Sequence, residues 1–212
     1  MDLKPYVVRQ GDYLAKIAHQ LGFDPDAVWG DPKNGDISKK RDPSMLQPGD
    51  VIYVPEEAPK PDLSVSEGDS HAFQAHVPEI TVSLVLRDGE GPIAGEPYVI
   101  NGLGDPVKGT TDGDGGLTFT ATVLAREVEL VLEKRNVKYP VLIGDMDPLD
   151  EASGAKKRLD HLGFRDPDAG ENGADENLSP AVIQAFQAAH GLPVTGELDE
   201  ATLAALKDEH GC

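Results

Sequence analysis

The stretch that decides the fold opens with Tyr6-Val7-Val8-Arg9-Gln10-Gly11-Asp12-Tyr13-Leu14 and closes with Leu46-Gln47-Pro48-Gly49-Asp50-Val51-Ile52-Tyr53-Val54-Pro55. Each end contains a short β-branched run, which is typical of a strand. Between the two ends, apolar residues recur with the spacing of one buried helix face, at Leu14, Ile17, Ala18 and Leu21. The stretch 6–55 therefore predicts a strand, two helices and a second strand.

Local signals predict where these helices begin and end. We expect Asp12 to cap the first helix and Gly22 to end it in the left-handed conformation. The second helix is predicted to begin with Asp24 as its cap and Pro25 in its first turn. The charged segment 29–41 is then predicted to be a long loop.

This order, with Gly-Asp after the first strand and Pro-Gly-Asp before the second, resembles the LysM domain, a small glycan-binding module. The resemblance covers residues 1–56 and implies binding of N-acetylglucosamine polymers such as peptidoglycan or chitin in a shallow groove between two loops. The groove residues it implies are Gly11, Asp12, Tyr13, Leu14, Ser44, Met45, Leu46, Gln47 and Pro48. Tyr13 departs from the family, which usually has a small hydroxyl residue there. The alternative is a LysM fold that serves as a docking scaffold and binds no sugar.

Charge and composition exclude several classes of partner. The chain has 38 acidic and 19 basic residues, a net charge of −19, which disfavours nucleic acid and anionic membranes. Its single cysteine, Cys212, excludes an intramolecular disulfide. The first residues do not resemble a signal peptide. We therefore expect synthesis in the cytoplasm and export only as part of a larger particle, the alternative being a mature fragment from which a signal was removed.

The middle of the chain has the pattern of a β-sandwich. A Pro- and Glu-rich linker is predicted at 57–75 and a domain of short antiparallel strands at 76–144, with strands near 79–87, 98–100, 117–123, 127–132 and 138–143. The strings Gly91-Pro92-Ile93-Ala94-Gly95 and Gly109-Thr110-Thr111-Asp112-Gly113-Asp114-Gly115-Gly116 resemble the transthyretin-like, or carboxypeptidase-regulatory-like, sandwich, which implies a spacer or adaptor. We interpret the Asp-Gly run as a tight turn because Val123 occupies the position where a calcium loop needs Glu.

The segment 145–212 is predicted to be helical. A first helix is expected at 154–162, a second capped by Ser179 with Pro180 behind it, and a third capped by Asp199. The strings at 159–164, 185–187, 191–198 and 202–206 resemble the three-helix peptidoglycan-binding domain often attached to wall hydrolases. The acidic loop 166–177 replaces the family's Gly-rich turn beside its proposed groove. Phe186, Leu203 and Leu206 are expected in the core.

No catalytic set emerges from the residues. Cys212 ends the chain, and abundant carboxylates identify no acid–base pair. His19, His161, His190 and His210 lack metal-ligand spacing, and His71 and His76 lack a third ligand. We expect no enzymatic activity, no cofactor and no metal.

Together these patterns predict a multidomain α+β protein with a βααβ LysM module, an antiparallel β-sandwich and a small three-helix domain. Two functions remain open. One is a non-catalytic peptidoglycan binder that grips the wall at both ends and is associated with a phage-tail-like contractile injection or secretion apparatus. The other is a structural adaptor that binds no glycan and contacts the tail, spike or baseplate proteins of a phage-tail-like contractile injection or secretion apparatus, since LysM modules also occur in such particles.

Overall fold

A computed structural model of the chain describes residues 2–57, 70, 72, 76–88, 90–166 and 178–211. Helices and strands are both present, so the predicted α+β class is confirmed. The chain forms two compact units. One comprises Met1–Val82, Val99–Lys108 and Thr118–Asp145, and the other comprises Ser83–Tyr98, Gly109–Leu117 and Met146–Cys212. Most of the predicted linker, His71, the loop 167–177 and Cys212 lie outside the described residues.

The N-terminal region contains a two-stranded antiparallel sheet with helices between its strands. Its elements are β1 (Leu3–Val7), α1 (Leu14–Leu21), α2 (Pro25–Trp29), a 3-10 turn (Pro32–Asn34), α3 (Gly35–Lys40) and β2 (Val51–Pro55). In the β1–β2 register Tyr6 lies opposite Ile52. The core consists of Val8, Leu14, Ile17, Ala18, Phe23, Val28, Leu46, Ile52 and Val54.

Two of the predictions for this region are confirmed and two are wrong. Gly22 ends α1 in the left-handed conformation, and Asp24 caps α2 by accepting from the N–H of Asp26. Asp12 does not cap α1, because Tyr13 occupies the cap position. The segment 29–41 is not a loop but contains the 3-10 turn and α3.

The described residues between 79 and 142 form eight strands. They are β3 (Glu79–Val85), β4 (Arg87–Asp88), β5 (Gly91–Pro92), β6 (Pro97–Asn101), β7 (Val107–Thr110), β8 (Gly116–Thr122), β9 (Glu127–Leu132) and β10 (Val137–Leu142). They form a four-stranded sheet in the order β10-β9-β6-β7 and the pairs β3-β8 and β4-β5. The five predicted strands are all present. The strands β4, β5 and β7 were not predicted, because they are too short to show an alternation of apolar and polar residues in the sequence. The sandwich arrangement stays a prediction.

β10 forms one edge of the four-stranded sheet, and Pro140 within it lies opposite Glu129 of β9. The Asp112 carboxylate accepts from the backbone N–H groups of Asp114 at 2.9 Å and Gly116 at 2.6 Å. The predicted tight turn between β7 and β8 is therefore confirmed.

The C-terminal region is helical, as predicted. It contains α4 (Ala152–His161), α5 (Pro180–Ala189) and α6 (Glu200–His210). Ser179 and Asp199 cap the second and third helices. The helices share a core of Ala155, Leu159, Val182, Phe186 and Leu206. Among the described residues, no helix is both long and apolar enough to span a membrane.

Candidate functional site

The two predicted groove loops lie next to each other. The backbone N–H of Leu14 donates to the carbonyl oxygen of Pro43 at 2.8 Å, which joins the start of α1 to the segment before β2. Leu14 and Leu46 belong to the same core cluster. The structure thus brings together two segments that are far apart in the sequence.

Accessibility divides the nine predicted groove residues into two groups. Asp12, Tyr13, Leu14 and Leu46 are buried, with exposed fractions of 8%, 4%, 3% and 4%. Ser44 is exposed, and the other four are partly exposed, namely Gly11, Met45, Gln47 and Pro48. Only this second group lies where a glycan can touch it without a rearrangement. Glycan binding by the nine residues stays a prediction.

Asp12 organises the first loop from within. Its Oδ2 accepts from the backbone N–H of Arg9 at 3.0 Å and from the hydroxyl of Tyr6 at 2.7 Å. Partial burial and this hydrogen bond to a carboxylate together raise the pKa of Tyr6 to about 12. The Oδ2 atom of Asp12 thus bonds two groups that precede α1, and among the described residues no side chain caps the helix at its start.

Asp50 has the equivalent role in the second loop. Its Oδ2 accepts from the backbone N–H of Gln47 at 2.9 Å and from the buried Arg41 guanidinium at 3.1 Å. The side-chain oxygen of Gln47 is buried and has no hydrogen-bond partner among the described residues. The loop 44–48 thus has a fixed backbone and one unsatisfied acceptor, which is energetically costly.

A single buried glutamine organises the C-terminal helical region. The Gln187 side chain is fully buried on α5. Its Oε1 accepts from the backbone N–H groups of Thr195 and Gly196, each at 2.9 Å. Its Nε2 lies 3.0 Å from the carbonyl oxygen of Glu197 and 2.9 Å from the hydroxyl of Thr202. Gln187 therefore fixes the α5–α6 loop to both helices.

The loop held by Gln187 presents a small mixed surface. Pro193, Val194 and Thr195 are exposed, and Val194 has an exposed fraction of 56%. Neutral hydrogen-bonding groups beside an apolar side chain suit a sugar. The sequence analysis included Gln187 in a motif but gave it no role. The missed signal was a polar residue beside Phe186 on an otherwise apolar helix face.

The start of α4 depends on a close backbone approach. A Cβ atom at Gly154 would overlap the carbonyl oxygen of Pro148. The fully buried Arg158 guanidinium donates at 2.9 Å to the carbonyl oxygens of Asp147 and Gly154. These contacts fix the turn that leads into the helical region.

Two histidines face each other at the ends of α4 and α6. His161 Nδ1 lies 3.1 Å from His210 Nε2. Burial lowers the pKa of His210 to about 4, and the positive charges of His161 and Arg158 act in the same direction. Across the part of the chain that the structure describes, no three metal-ligating side chains converge.

Comparison with known families supports the reading of the C-terminal region. Residues 150–206 match the model of the family described as "Putative peptidoglycan binding domain". This match confirms a peptidoglycan-binding-type domain over those residues, with α4, α5 and α6 inside or at its edges. Neither the curated proteins nor the solved structures contain a match to the chain.

Proposed function

We propose that this chain is a non-catalytic peptidoglycan-binding protein whose C-terminal helical region contacts the wall. The observation that carries the proposal is the family match over residues 150–206. A shared apolar core of α4, α5 and α6 supports it, because packed helices hold the loops between them in a fixed position.

The proposed contact is the loop 191–197 between α5 and α6. It is fixed by Gln187 and exposes Val194 beside neutral backbone and hydroxyl groups. A rigid loop lowers the entropy that binding must overcome. The exposed residues 193–195 carry no charge, whereas Glu197 at the end of the loop is exposed and acidic. The uncharged part of this surface suits the neutral hydroxyl and amide groups of a glycan.

A second contact is proposed at the N-terminal region, where the βααβ order resembles LysM. There the accessible residues are Gly11, Ser44, Met45, Gln47 and Pro48. Two weak contacts on one chain bind a polymer more tightly than either alone when both reach it together. An N-acetylglucosamine polymer is the proposed ligand for this second contact.

The second candidate function is a structural adaptor that binds no glycan. The burial of Tyr13 favours it, since that ring lies where the LysM resemblance implies an accessible groove. Such an adaptor would belong to a phage-tail-like contractile injection or secretion apparatus and would be made in the cytoplasm. Co-sedimentation of the native protein with such particles tests this candidate.

The test of wall binding is sedimentation with purified, protein-free peptidoglycan. The variant Val194→Asp should weaken sedimentation because it places a charge on the proposed contact. The matched control is Leu142→Asp on β10, which makes the same charge change at a side chain of similar exposure, 55% against 56%. The supernatant should contain no released wall fragments.

Three results would contradict the proposal. If the wild-type protein does not sediment with peptidoglycan, the proposed function is wrong. If Val194→Asp and Leu142→Asp sediment equally, the loop 191–197 is not the contact. Release of soluble fragments would show an enzymatic activity.

A further inference from the structure

The Tyr13 side chain packs inward, against a distant part of its own unit. Its hydroxyl donates to the carbonyl oxygen of Val123 at 3.0 Å, and the residue is 4% exposed. A buried phenol needs such a partner, because an unsatisfied hydroxyl would be costly. Burial also raises the pKa of Tyr13 to about 12. The ring therefore belongs to an internal contact.

Gly144 provides the surface against which this ring packs. Its φ angle is +78°, and a Cβ atom added there would lie 2.9 Å from Cδ1 of Tyr13 and 3.2 Å from the carbonyl oxygen of Gly11. Both the backbone conformation and the close approach favour glycine. The shape of the chain at residue 144 is thus fitted to the loop that contains Tyr13.

Polar contacts surround the aromatic one. Gln10 Nε2 donates to the Asp145 carboxylate at 2.8 Å on the exposed side. On the buried side, the Lys16 ammonium donates to the carbonyl oxygen of Gly11. Lys16 is 4% exposed and lies 4.0 Å from the Asp12 carboxylate. The loop 10–14 is therefore fixed by α1 on one side and by residues 123, 144 and 145 on the other.

We propose that the loop 10–14 is an internal docking surface, which holds the N-terminal module to residues 123 and 144–145 and thereby closes the Tyr13 side of the predicted glycan groove. The occupant of the surface is the chain itself. Gly11 and the accessible residues of the second loop, Ser44, Met45, Gln47 and Pro48, stay open to a ligand. Glycan contact with Tyr13 then requires undocking, which makes the contact autoinhibitory. The inference does not depend on wall binding by the C-terminal region.

The test uses Gly144→Ala in the full chain. The added methyl group meets the Tyr13 ring, so the docked state is disfavoured. Gly104→Ala is the matched control, because Gly104 also has a positive φ, +96°, but no atom lies within 4 Å of an added Cβ. Nitration of tyrosines, located by mass spectrometry, reports whether Tyr13 is accessible. The exposed Tyr139 serves as the internal standard for reactivity.

We expect Tyr13 to be protected in the wild-type protein and in Gly104→Ala, and to react about tenfold faster in Gly144→Ala, the effect of losing roughly one buried hydrogen bond. Gly144→Ala should also bind the N-acetylglucosamine tetramer more tightly than the wild type does. Circular dichroism checks folding. If Gly144→Ala does not fold, Gln10→Ala replaces it. Gln10 contacts Asp145 on the exposed side of the loop, so its removal weakens the docking without disturbing the core.

Each contrary result identifies what fails. Rapid nitration of Tyr13 in the wild type overturns the docking. Equally fast nitration of Tyr13 in Gly144→Ala and Gly104→Ala also overturns it, because backbone strain and not a lost contact would then explain the exposure of the ring. A reactive Tyr13 with unchanged binding of the tetramer overturns the closure of the groove. Peptidoglycan sedimentation through the C-terminal loop should be retained in Gly144→Ala, so failure of this inference is distinguishable from failure of the proposed function.

Discussion

Replacing Gln187 by Leu should destabilise the C-terminal helices although the two side chains are similar in size. The Gln187 amide is fully buried and bonds the backbone of the α5–α6 loop. Leu fills the space but supplies no donor or acceptor. The prediction therefore isolates the hydrogen bonds from the packing.

The magnitude follows from the groups left behind. The N–H of Gly196 is buried and loses its only acceptor in this network, which costs about 1–3 kcal/mol. Thr195 is exposed, so water can satisfy its N–H, and its lost bond costs about 1 kcal/mol. The carbonyl of Glu197 adds a similar amount. These losses add to about 3–5 kcal/mol. The apolar surface that Leu buries works against them, so we expect a net loss near the lower end, about 3 kcal/mol.

Hydrogen exchange of the α5 amides measures this loss locally. A loss of about 3 kcal/mol accelerates exchange through opening by roughly a hundredfold. Gln184→Leu is the matched control, since the same substitution lies on the same helix at an exposed position. Equal exchange rates in the two variants would refute the reasoning, because the buried network would then contribute nothing.

Two further predictions concern other parts of the chain. The free energy of unfolding should fall as the pH decreases from 7 towards 4. The pKa of His210 is about 4 in the folded chain and about 6.5 in the unfolded chain, so the unfolded chain binds the proton first. In urea unfolding the stability of His210→Gln should depend less on pH than that of the wild type, and an identical pH dependence of the two would contradict the prediction. Asn34→Ala should lower the free energy of unfolding by about 2–4 kcal/mol, because the buried Asn34 bonds the carbonyl oxygens of Val28 and Tyr53 and the N–H of Tyr53. Urea unfolding followed by the fluorescence of the single tryptophan measures this loss. The control is Lys33→Ala at an exposed position, and an equal loss in both variants would contradict the prediction.

Features set by neighbouring residues could be predicted from the sequence. Gly22, Asp24, Ser179 and Asp199 end or cap helices as expected, because a cap depends on backbone groups two to four residues away. The alternation in β3 was equally local. The helix α3 was missed because its charged residues conceal a single apolar contact, that of Ile37 with the core.

Features set by distant residues could not be predicted. Asp12 has the sequence context of a cap, yet its carboxylate is occupied by Tyr6 and the N–H of Arg9. Tyr13 meets Val123 across 110 positions of sequence, and nothing near Tyr13 signals this partner. The accessible part of the candidate groove is therefore smaller than the motif implied. Gln187 was visible in the sequence only as a polar residue on an apolar face.

The edge strand β10 has a consequence for how copies of this protein behave when they are crowded together. A sheet edge with a continuous row of unpaired backbone groups invites a second chain to add a strand. In β10, Pro140 provides no N–H. The Lys138 side chain is 66% exposed and forms an ion pair with Glu129 of β9 at 3.1 Å. Exposed apolar side chains at Tyr139 and Leu142 are thus separated by a residue that interrupts strand addition. This edge of the four-stranded sheet is therefore less able than an uninterrupted one to accept a strand from a second copy.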